Sequence, residues 1–476
     1  MSLPKGIESL NREELFVLIA ELLEQNRELQ EEVINLRKVV EELRRENEQL
    51  KREGKKQAAP FSKGKRVKRR KRSGRKKGKG IFRHREPPLA EEITEPPIDV
   101  DVEEKVCPEC GGELEEEKVD FAYKTDIPET PRPKVTQYRV QVCRCQKCGH
   151  QVRGQHPDIA PDQYGATAHR LGERVMATAH GLHYGLGVPM RKVPLIIKEM
   201  TGVGITQGAI MQDALKRAEG EVGEIYEQLR AKVKESERVN TDDTGWKVDG
   251  ETAFLMAFET EEATVYQIRS QHRNEEVREV IPSDYKGVMS TDRGRSYDAC
   301  ELEDVKQQKC IGHIQNSISK VLEVQKGPAR KFTLKLKSLL KASVKLWRNH
   351  KEGKVKNYQT KAQSLKEKIS YHLKERTLLN PDNKRLLKEI GKHHQRGNLL
   401  RFLDDPRIEP TNNRAEQALR PAVIARKVSQ CSKNDRGAGA FAAFKSVARK
   451  ITKAGGSIIE GFCSIFRSAR SQQAPP

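Results

Sequence analysis

Four cysteines form two pairs with the spacing Cys-x-x-Cys, Cys107–Cys110 and Cys145–Cys148. Each pair can turn tightly enough for both thiolates to bind one ion, and two such pairs complete the tetrahedral shell that Zn²⁺ prefers. A shell closed by four thiolates leaves no open position for a substrate. The spacing therefore predicts a structural zinc ion and gives it no part in catalysis.

The residues between the two pairs alternate apolar and polar side chains, as β-strands do (KVDFAYKTDIP and KVTQYRVQVCRC). This pattern predicts a zinc ribbon over residues 101–158. Cys143 and His150 are spare ligand candidates, and Cys143 could replace Cys145. The chain has nine cysteines. An odd count with two such pairs favours metal binding in a reducing cytoplasm over a disulfide framework.

The overall charge indicates a polyanionic partner. Lysine and arginine total 90 against 68 acidic residues, which gives a formal net charge of +22. Nucleic acid is the commonest partner of so basic a protein, and a merely well-charged surface is the alternative. No apolar run is long enough to span a membrane, and the N-terminus lacks the apolar core of a secretion signal. We expect a DNA-binding protein in the cytoplasm, associated with the nucleoid and not with a membrane.

Residues 1–53 carry a leucine at every seventh position without an intervening proline. The leucines are Leu15, Leu22, Leu29, Leu36, Leu43 and Leu50. The intermediate core positions hold Ile19, Asn26, Val33, Val40 and Asn47. Leucine alternating with β-branched residues favours a parallel two-stranded coiled coil, and buried asparagine fixes its register. The pattern predicts a homo-oligomer, at least a dimer; a helix packed on its own domain is the alternative.

Residues 54–100 form a linker that is first basic and then acidic. The basic part includes KRVKRRKRSGRKKGKG, in which Arg69, Arg70, Lys71 and Arg72 are candidate DNA contacts. Such a run cannot bury apolar area and is predicted to be disordered when free. It could neutralise phosphates without reading their sequence, and a solvated linker is the alternative.

The periodicity is helical over residues 159–236 and changes to strands after residue 237. Short glycine-containing turns separate the helices, as in a helix-turn-helix, and Thr206 could cap the third helix. Plain helical packing is nearly as good an interpretation. RVNTDDTGWKV, TAFLMAFET and ATVYQIR then predict three antiparallel strands, with a hairpin turn at Asp249–Gly250.

Later segments complete an α/β domain over residues 237–460. YKGVMSTD predicts a fourth strand that ends at Asp292, RGRSYDAC the start of a helix, and QKCIGHIQNSISKVL an amphipathic helix. A basic helical insertion follows at about 325–403. A loop and a further helix come next, and residues 461–476 form a tail.

Several phrases of this sequence match a known family. HYGLGVPMRKV, TDDTGWKVDG, STDRGRSYDAC, QKCIGH and PTNNRAEQALRPAVIARK occur in order, after APFSKGK and the basic run. The chain resembles the insertion-sequence-66 family of DDE transposases over nearly its whole length. The resemblance implies a ribonuclease-H-like fold whose strands carry two catalytic acids and whose late helix carries the third. Those acids are Asp242, Asp292 and Glu416. The family usually has Asp-Glu-Thr where this chain has Asp242-Asp243-Thr244.

The chemistry of such an enzyme explains the acids. Phosphodiester transfer uses two Mg²⁺ ions, for which Mn²⁺ can substitute, and these ions bind hard carboxylate oxygens. Adjacent residues of a strand point to opposite faces, so only one of Asp242 and Asp243 can join the site. The alternative for each acid alone is a solvated carboxylate. Glu416 could instead form a capping box with Asn413.

Other residues near these acids are candidates for contact with DNA. We expect a packing role for Cys310 and a place near the DNA backbone for His313. The basic residues that could meet the backbone follow the loop Pro410-Thr411-Asn412-Asn413; they are Arg414, Arg420, Arg426 and Lys427. The expected function is a transposase that cleaves the ends of its element and transfers them to target DNA. The alternatives are a zipper-dimerised, zinc-containing DNA-binding regulator with an inactive core, and a nuclease that only hydrolyses.

Overall fold

A computed structural model describes residues 12–54, 87–94, 96–100, 107–113, 121–125, 133–160, 162–429 and 431–473. It is a mixed α/β structure with a helical N-terminal segment and a mixed sheet. The chain divides into two compact units, residues 1–123 and 124–476. The basic run with Arg69, Arg70, Lys71 and Arg72 lies outside the described residues.

The first unit contains the long helix α1, Arg12–Gly54. Three of the predicted zipper leucines, Leu22, Leu29 and Leu36, are 54%, 60% and 57% exposed. A helix that buried its apolar face within its own unit would shield these side chains. The helix is confirmed, and its pairing with a second chain stays a prediction.

The second unit begins with a small hairpin and a group of helices. Strands β1 (Val142–Arg144) and β2 (Gln151–Arg153) pair antiparallel. The helices are α2 (Glu173–His180), α3 (Val193–Thr201), α4 (Gln207–Glu219) and α5 (Glu221–Glu235). Thr206 Oγ1 accepts a hydrogen bond from Ala209 N at 3.1 Å, which confirms the predicted cap of α4.

A five-stranded sheet follows, in the order β5-β4-β3-β6-β7. Its strands are β3 (Arg238–Val248), β4 (Glu251–Glu259), β5 (Thr264–Arg269), β6 (Val288–Thr291) and β7 (Lys306–Lys309). The first three are antiparallel as predicted, while β6 and β7 run parallel to β3. Asp249 and Gly250 both have positive φ (51° and 79°), as a tight hairpin turn requires.

The structure differs from the sequence interpretation at three places. Strand β6 ends at Thr291, one residue before Asp292. Residues Arg295–Tyr297 form a short 3₁₀ turn where a helix was expected. Strand β7 was missed because its residues, KQQK, are polar, and the helix that follows it begins only at Ile311.

The remaining helices fall into two packing groups. Helices α7 (Ile311–Val324), α8 (Arg330–Lys351), α9 (Tyr358–Leu373), α10 (Pro381–Gln395) and α11 (Arg401–Asp404) share one apolar core. The short helix α6 (Asn274–Arg278) and the helices α12 (Asn413–Ser429), α13 (Asp435–Lys453) and α14 (Ile458–Gln473) contribute to the core around the sheet. Of these helices, α12 packs on β3 and α13 packs on β5.

Candidate active site

Two acids lie side by side in the middle of the sheet. Asp242 is within β3, and Asp292 follows β6 directly. Asn240 on β3 is paired with Ser290 on the parallel strand β6. Two residues further along each chain, Asp242 and Asp292 therefore come level with each other on neighbouring strands, which lie about 4.8 Å apart in a sheet.

This arrangement disfavours the charge on Asp242. Burial, together with the charges of Asp292 and Asp243, raises the pKa of the Asp242 carboxyl to about 7. A hydrogen bond from Asp243 N to Asp242 Oδ1, at 3.0 Å, and the nearby His313 both act in the opposite direction. Asp242 is therefore a half-buried carboxylate whose negative charge is poorly compensated by the protein itself.

Asp243, the next residue, has different partners. Its Oδ1 lies 3.1 Å from His272 Nδ1, and His272 Nε2 in turn lies 3.3 Å from Ser296 Oγ. Asp242 and Asp243 have different partners because successive side chains of a strand point to opposite faces of the sheet. Of the two neighbours, Asp242 is the one coupled to Asp292 and His313.

Cys310 connects the elements that carry the acids. Its backbone N donates to Thr291 O at 2.8 Å, and its Sγ accepts from Asn412 N at 3.3 Å. It thereby links the end of β6, the start of α7 and the start of α12. The thiol is only 3% exposed, which agrees with the expected packing role.

His313 lies on the first turn of α7, beside this cysteine. Its interaction with the Cys310 thiol, aided by the charges of Asp242 and Asp292 and opposed by burial, raises the pKa of His313 to about 9. Burial acts to raise the pKa of Cys310, but its hydrogen bonds with His313 and Asn412 lower it below the ordinary value. A positively charged imidazole therefore faces the two acids at neutral pH.

Glu416 lies on the first turn of α12, half-buried. The helix begins at Asn413, and Asn412 O accepts from Glu416 N at 3.2 Å, so Asn412 and not Asn413 holds the cap position. The alternative role of Glu416, a capping box with Asn413, does not fit a helix that begins at Asn413. The Asn412 side chain instead donates to Thr241 O at 2.8 Å and accepts from Asn240 Nδ2 at 3.1 Å. It fixes the start of α12 to β3, immediately before Asp242.

An open cleft of about 570 Å³ adjoins Asp292. Its lining includes Arg293, His313, Asn316, Ser317 and Lys320. Arg293 is held in place by an ion pair with Glu389 on α10, at 3.2 Å, and by a hydrogen bond to Ser317. Cationic and hydroxyl groups, together with the acid Glu323, thus line one side of the acid pair, and cations of this kind can bind phosphates.

The sequence of this region matches a model of the Transposase IS66 family over residues 169–440. The match spans more than half of the chain. The chain belongs to this family. No curated protein matches the chain. Membership supports a role as a transposase, a class of DNA-processing enzyme.

The match begins after the two cysteine pairs of this IS66-family protein and covers the five-stranded sheet, the three candidate acids and helices α7 to α11. None of the helices within the described ranges is long and apolar enough to cross a membrane. Also within those ranges, no three or more His, Cys, Asp or Glu side chains converge on a metal position. The strand register brings Asp242 and Asp292 together, whereas Glu416 does not join them in such a group.

The two cysteine pairs adopt the same local turn. Cys107 O accepts from Gly111 N and Cys145 O accepts from Gly149 N, each at 2.8 Å. Both glycines have a positive φ, 76° and 74°, which suits a residue without a side chain. Backbone N–H groups of the following residues lower the pKa of Cys107 and of Cys145. Each turn therefore favours a thiolate, the form that binds zinc.

The candidate DNA contacts on α12 differ in their surroundings. Arg420 and Lys427 are exposed. Arg414 is paired with Glu409 at 2.9 Å. Arg426 turns back to β3, where its Nη1 donates to Thr244 Oγ1 at 3.1 Å and to Gly245 O.

Sequence reasoning missed a buried ion pair beneath the site. Lys309, on β7, is fully buried and lies 2.8 Å from Asp298 Oδ1. Its Nζ also donates to Thr291 Oγ1 at 3.1 Å, next to Asp292. Burial lowers the pKa of Lys309, and Asp298 opposes this effect. The phrase QKCIGH contains this lysine, but nothing in its hydropathy indicates a buried strand.

Proposed function

We propose that this protein is a DDE-type transposase that binds the ends of its insertion element and catalyses Mg²⁺-dependent DNA cleavage and strand transfer. The observation that carries the proposal is the pair Asp242 and Asp292, level on neighbouring parallel strands. The raised pKa of Asp242 is typical of carboxylates assembled for chemistry and not for stability.

The topology supports a ribonuclease-H-like core. Three antiparallel strands continue into two strands parallel to the first, in the order β5-β4-β3-β6-β7. The proposed first acid is on the central strand, the second follows its parallel neighbour, and the third is on a helix fixed to the central strand by Asn412. This is the distribution of acids that the family resemblance implies.

Asp242, Asp292 and Glu416 are the residues that would hold Mg²⁺ or Mn²⁺. They fit because carboxylate oxygens are the ligands these ions prefer, and because the charge of Asp242 stays disfavoured despite the nearby His313. Bound ions would supply activation of the attacking oxygen and neutralisation of the leaving oxygen. His313, Arg293 and Lys320 would attract the DNA phosphates to the cleft and orient them.

Two further parts of the proposal concern the N-terminal half. Cys107, Cys110, Cys145 and Cys148 are proposed to hold one structural Zn²⁺, because both pairs form thiolate-favouring turns. Helix α1 is proposed to pair with α1 of a second copy, because its heptad leucines are exposed. Replacing Leu29 and Leu36 by proline should give monomers in light scattering, and dimers of unchanged strength would contradict the pairing.

The proposed activity is tested with the purified chain, a duplex carrying the terminal sequence of its element, and supercoiled target DNA. In Mg²⁺ we expect 3′-hydroxyl ends at the element boundary and products joined to the target. With EDTA, neither should form. Binding without cleavage in any divalent ion would favour the inactive regulator, and cleavage without joining would favour a hydrolytic nuclease.

A further inference from the structure

Helix α8 has a charge pattern that its own stability does not explain. Its 22 residues, RKFTLKLKSLLKASVKLWRNHK, include eight lysines and arginines and no acid. Lysines repeat at the i,i+4 spacing in Lys331–Lys335, Lys337–Lys341 and Lys341–Lys345. Each such like-charge pair destabilises a helix by roughly 0.2–0.5 kcal/mol. A surface helix selected only for solubility would mix both signs.

Four of these cations form one row along the helix. Arg330, Lys337, Lys341 and Arg348 are separated by 7, 4 and 7 residues, which places them within about 40° of each other at 3.6 residues per turn. The row is about 27 Å long at 1.5 Å per residue. The buried side chains of α8, such as Leu336, Leu339 and Ser343, centre on a direction roughly 135° away.

The second cation of the row, Lys337, lies at the wall of the candidate active site. Lys337 Nζ donates to Ser319 Oγ on α7 at 2.7 Å. Ser319 lines the same cleft as Asp292 and His313. The cationic row therefore continues outward from the cleft along the insertion.

The outer cations of the row are available for a partner. Lys341 and Arg348 are exposed. In the part of the chain that the structure describes, neither forms an ion pair with a carboxylate; the nearby Glu352 pairs with Lys354 at 2.6 Å. A linear, evenly cationic surface of this length matches the phosphates of about eight base pairs of duplex at 3.4 Å per pair.

We propose that the α8 row, defined as Arg330, Lys337, Lys341 and Arg348, binds the sugar–phosphate backbone of the duplex DNA that enters the cleft. This rests on the proposed function, which makes the cleft the place where DNA is processed. Because backbone contacts carry no sequence information, the row holds and directs the duplex and leaves recognition of element ends to other segments.

A pair of double variants tests the row. K341Q/R348Q removes two cations of the row. K331Q/K335Q removes two exposed lysines of the same helix that lie roughly 80–140° around its axis from those two. Affinity of the full-length protein for a 40-base-pair duplex of arbitrary sequence is measured between about 50 and 200 mM salt. Each lost phosphate contact lowers the slope of log affinity against log salt by about 0.9.

The expected result is a slope reduced by about 1.8 in K341Q/R348Q and unchanged in K331Q/K335Q. Equal slopes in the wild type and K341Q/R348Q, or equal losses in both variants, would overturn the proposal. Tighter row-dependent binding to a duplex RNA of the same sequence would also overturn it. Binding is measured without Mg²⁺, so this test does not depend on cleavage. A wild type that binds DNA but does not cleave it when Mg²⁺ is added would refute the proposed function and leave the test of the row valid.

Discussion

The cysteine turns and the acid pair are two candidate metal sites built in opposite ways. Each cysteine turn is made by residues within a few positions of one another, and local backbone N–H groups favour its thiolates. The acid pair depends on residues 50 positions apart (292 − 242), and the protein around it disfavours the charge of Asp242. The first arrangement suits an ion that stabilises the fold. The acid pair instead leaves the repulsion between its carboxylates in the folded state, and a metal ion bound for chemistry would relieve that repulsion.

The largest expected effect concerns the proposed zinc ion. Structural zinc contributes on the order of 10–16 kcal/mol in small zinc domains. C110S should reduce the zinc content from about one ion per chain to none and weaken binding to the element ends. Metal analysis and DNA binding measure both effects.

The control for this experiment is C143S, which removes the spare thiol and should keep the zinc. Zinc retained in C110S would contradict the assignment of ligands. A zinc-free wild type that still bound the element ends would contradict the structural role of the metal.

Replacing an acid of the pair should have the opposite effect on stability: without metal, it should stabilise the fold. The fold raises the pKa of Asp242 from 3.8 to about 7. The folded state therefore favours the protonated carboxyl; its stabilising contribution is complete below about pH 3.8 and is lost as the pH rises through 7. At pH 8 without metal, D242N should be more stable than the wild type, by at most about 4 kcal/mol.

Thermal melts in EDTA measure this difference, which should shrink as the pH falls toward 4. Mg²⁺ should stabilise the wild type and have little effect on D242N. D243N is the matched control and should respond to Mg²⁺ as the wild type does. A D242N variant that is less stable than the wild type at pH 8 would contradict the account of the acid pair.

A smaller effect is expected where α12 is fixed to the sheet. N412A removes the hydrogen bonds to Thr241 and Asn240 in a buried position, and each polar group left unsatisfied costs about 1–3 kcal/mol. N413A changes an exposed residue and should alter stability by less than about 0.5 kcal/mol. Urea unfolding compares the two variants. Equal effects would show that Asn412 does not fix the helix.

The contrast between the two sites also explains what the sequence could predict. The cysteine spacing, the Asp249–Gly250 turn and the Thr206 cap are local patterns, and the structure contains the turns and the cap that they imply. Three antiparallel strands were equally evident from their alternation. The identity of the acids came from the family resemblance, because nothing local distinguishes Asp242 from other carboxylates.

Strand β7 and the role of Asn412 could not be predicted, for a common physical reason. Gln307, Gln308 and Lys309 are buried although they are polar, since groups distant in sequence accept hydrogen bonds from their side chains. Asn412 likewise finds its partners on β3. Hydropathy reports the cost of burying such side chains but not the long-range partners that offset it.

The central claim is that Asp242, Asp292 and Glu416 form the catalytic acid set, and DNA cleavage by four single variants tests it most directly. In Mg²⁺ or Mn²⁺, D242N, D292N and E416Q should each lose several orders of magnitude in cleavage rate while folding and DNA binding are retained. D243N should lose at most about tenfold, because Asp243 faces His272 instead of the acid pair. An inactive D243N with an active D242N would reverse the assignment within the pair. Normal cleavage by all four variants would contradict the catalytic account altogether.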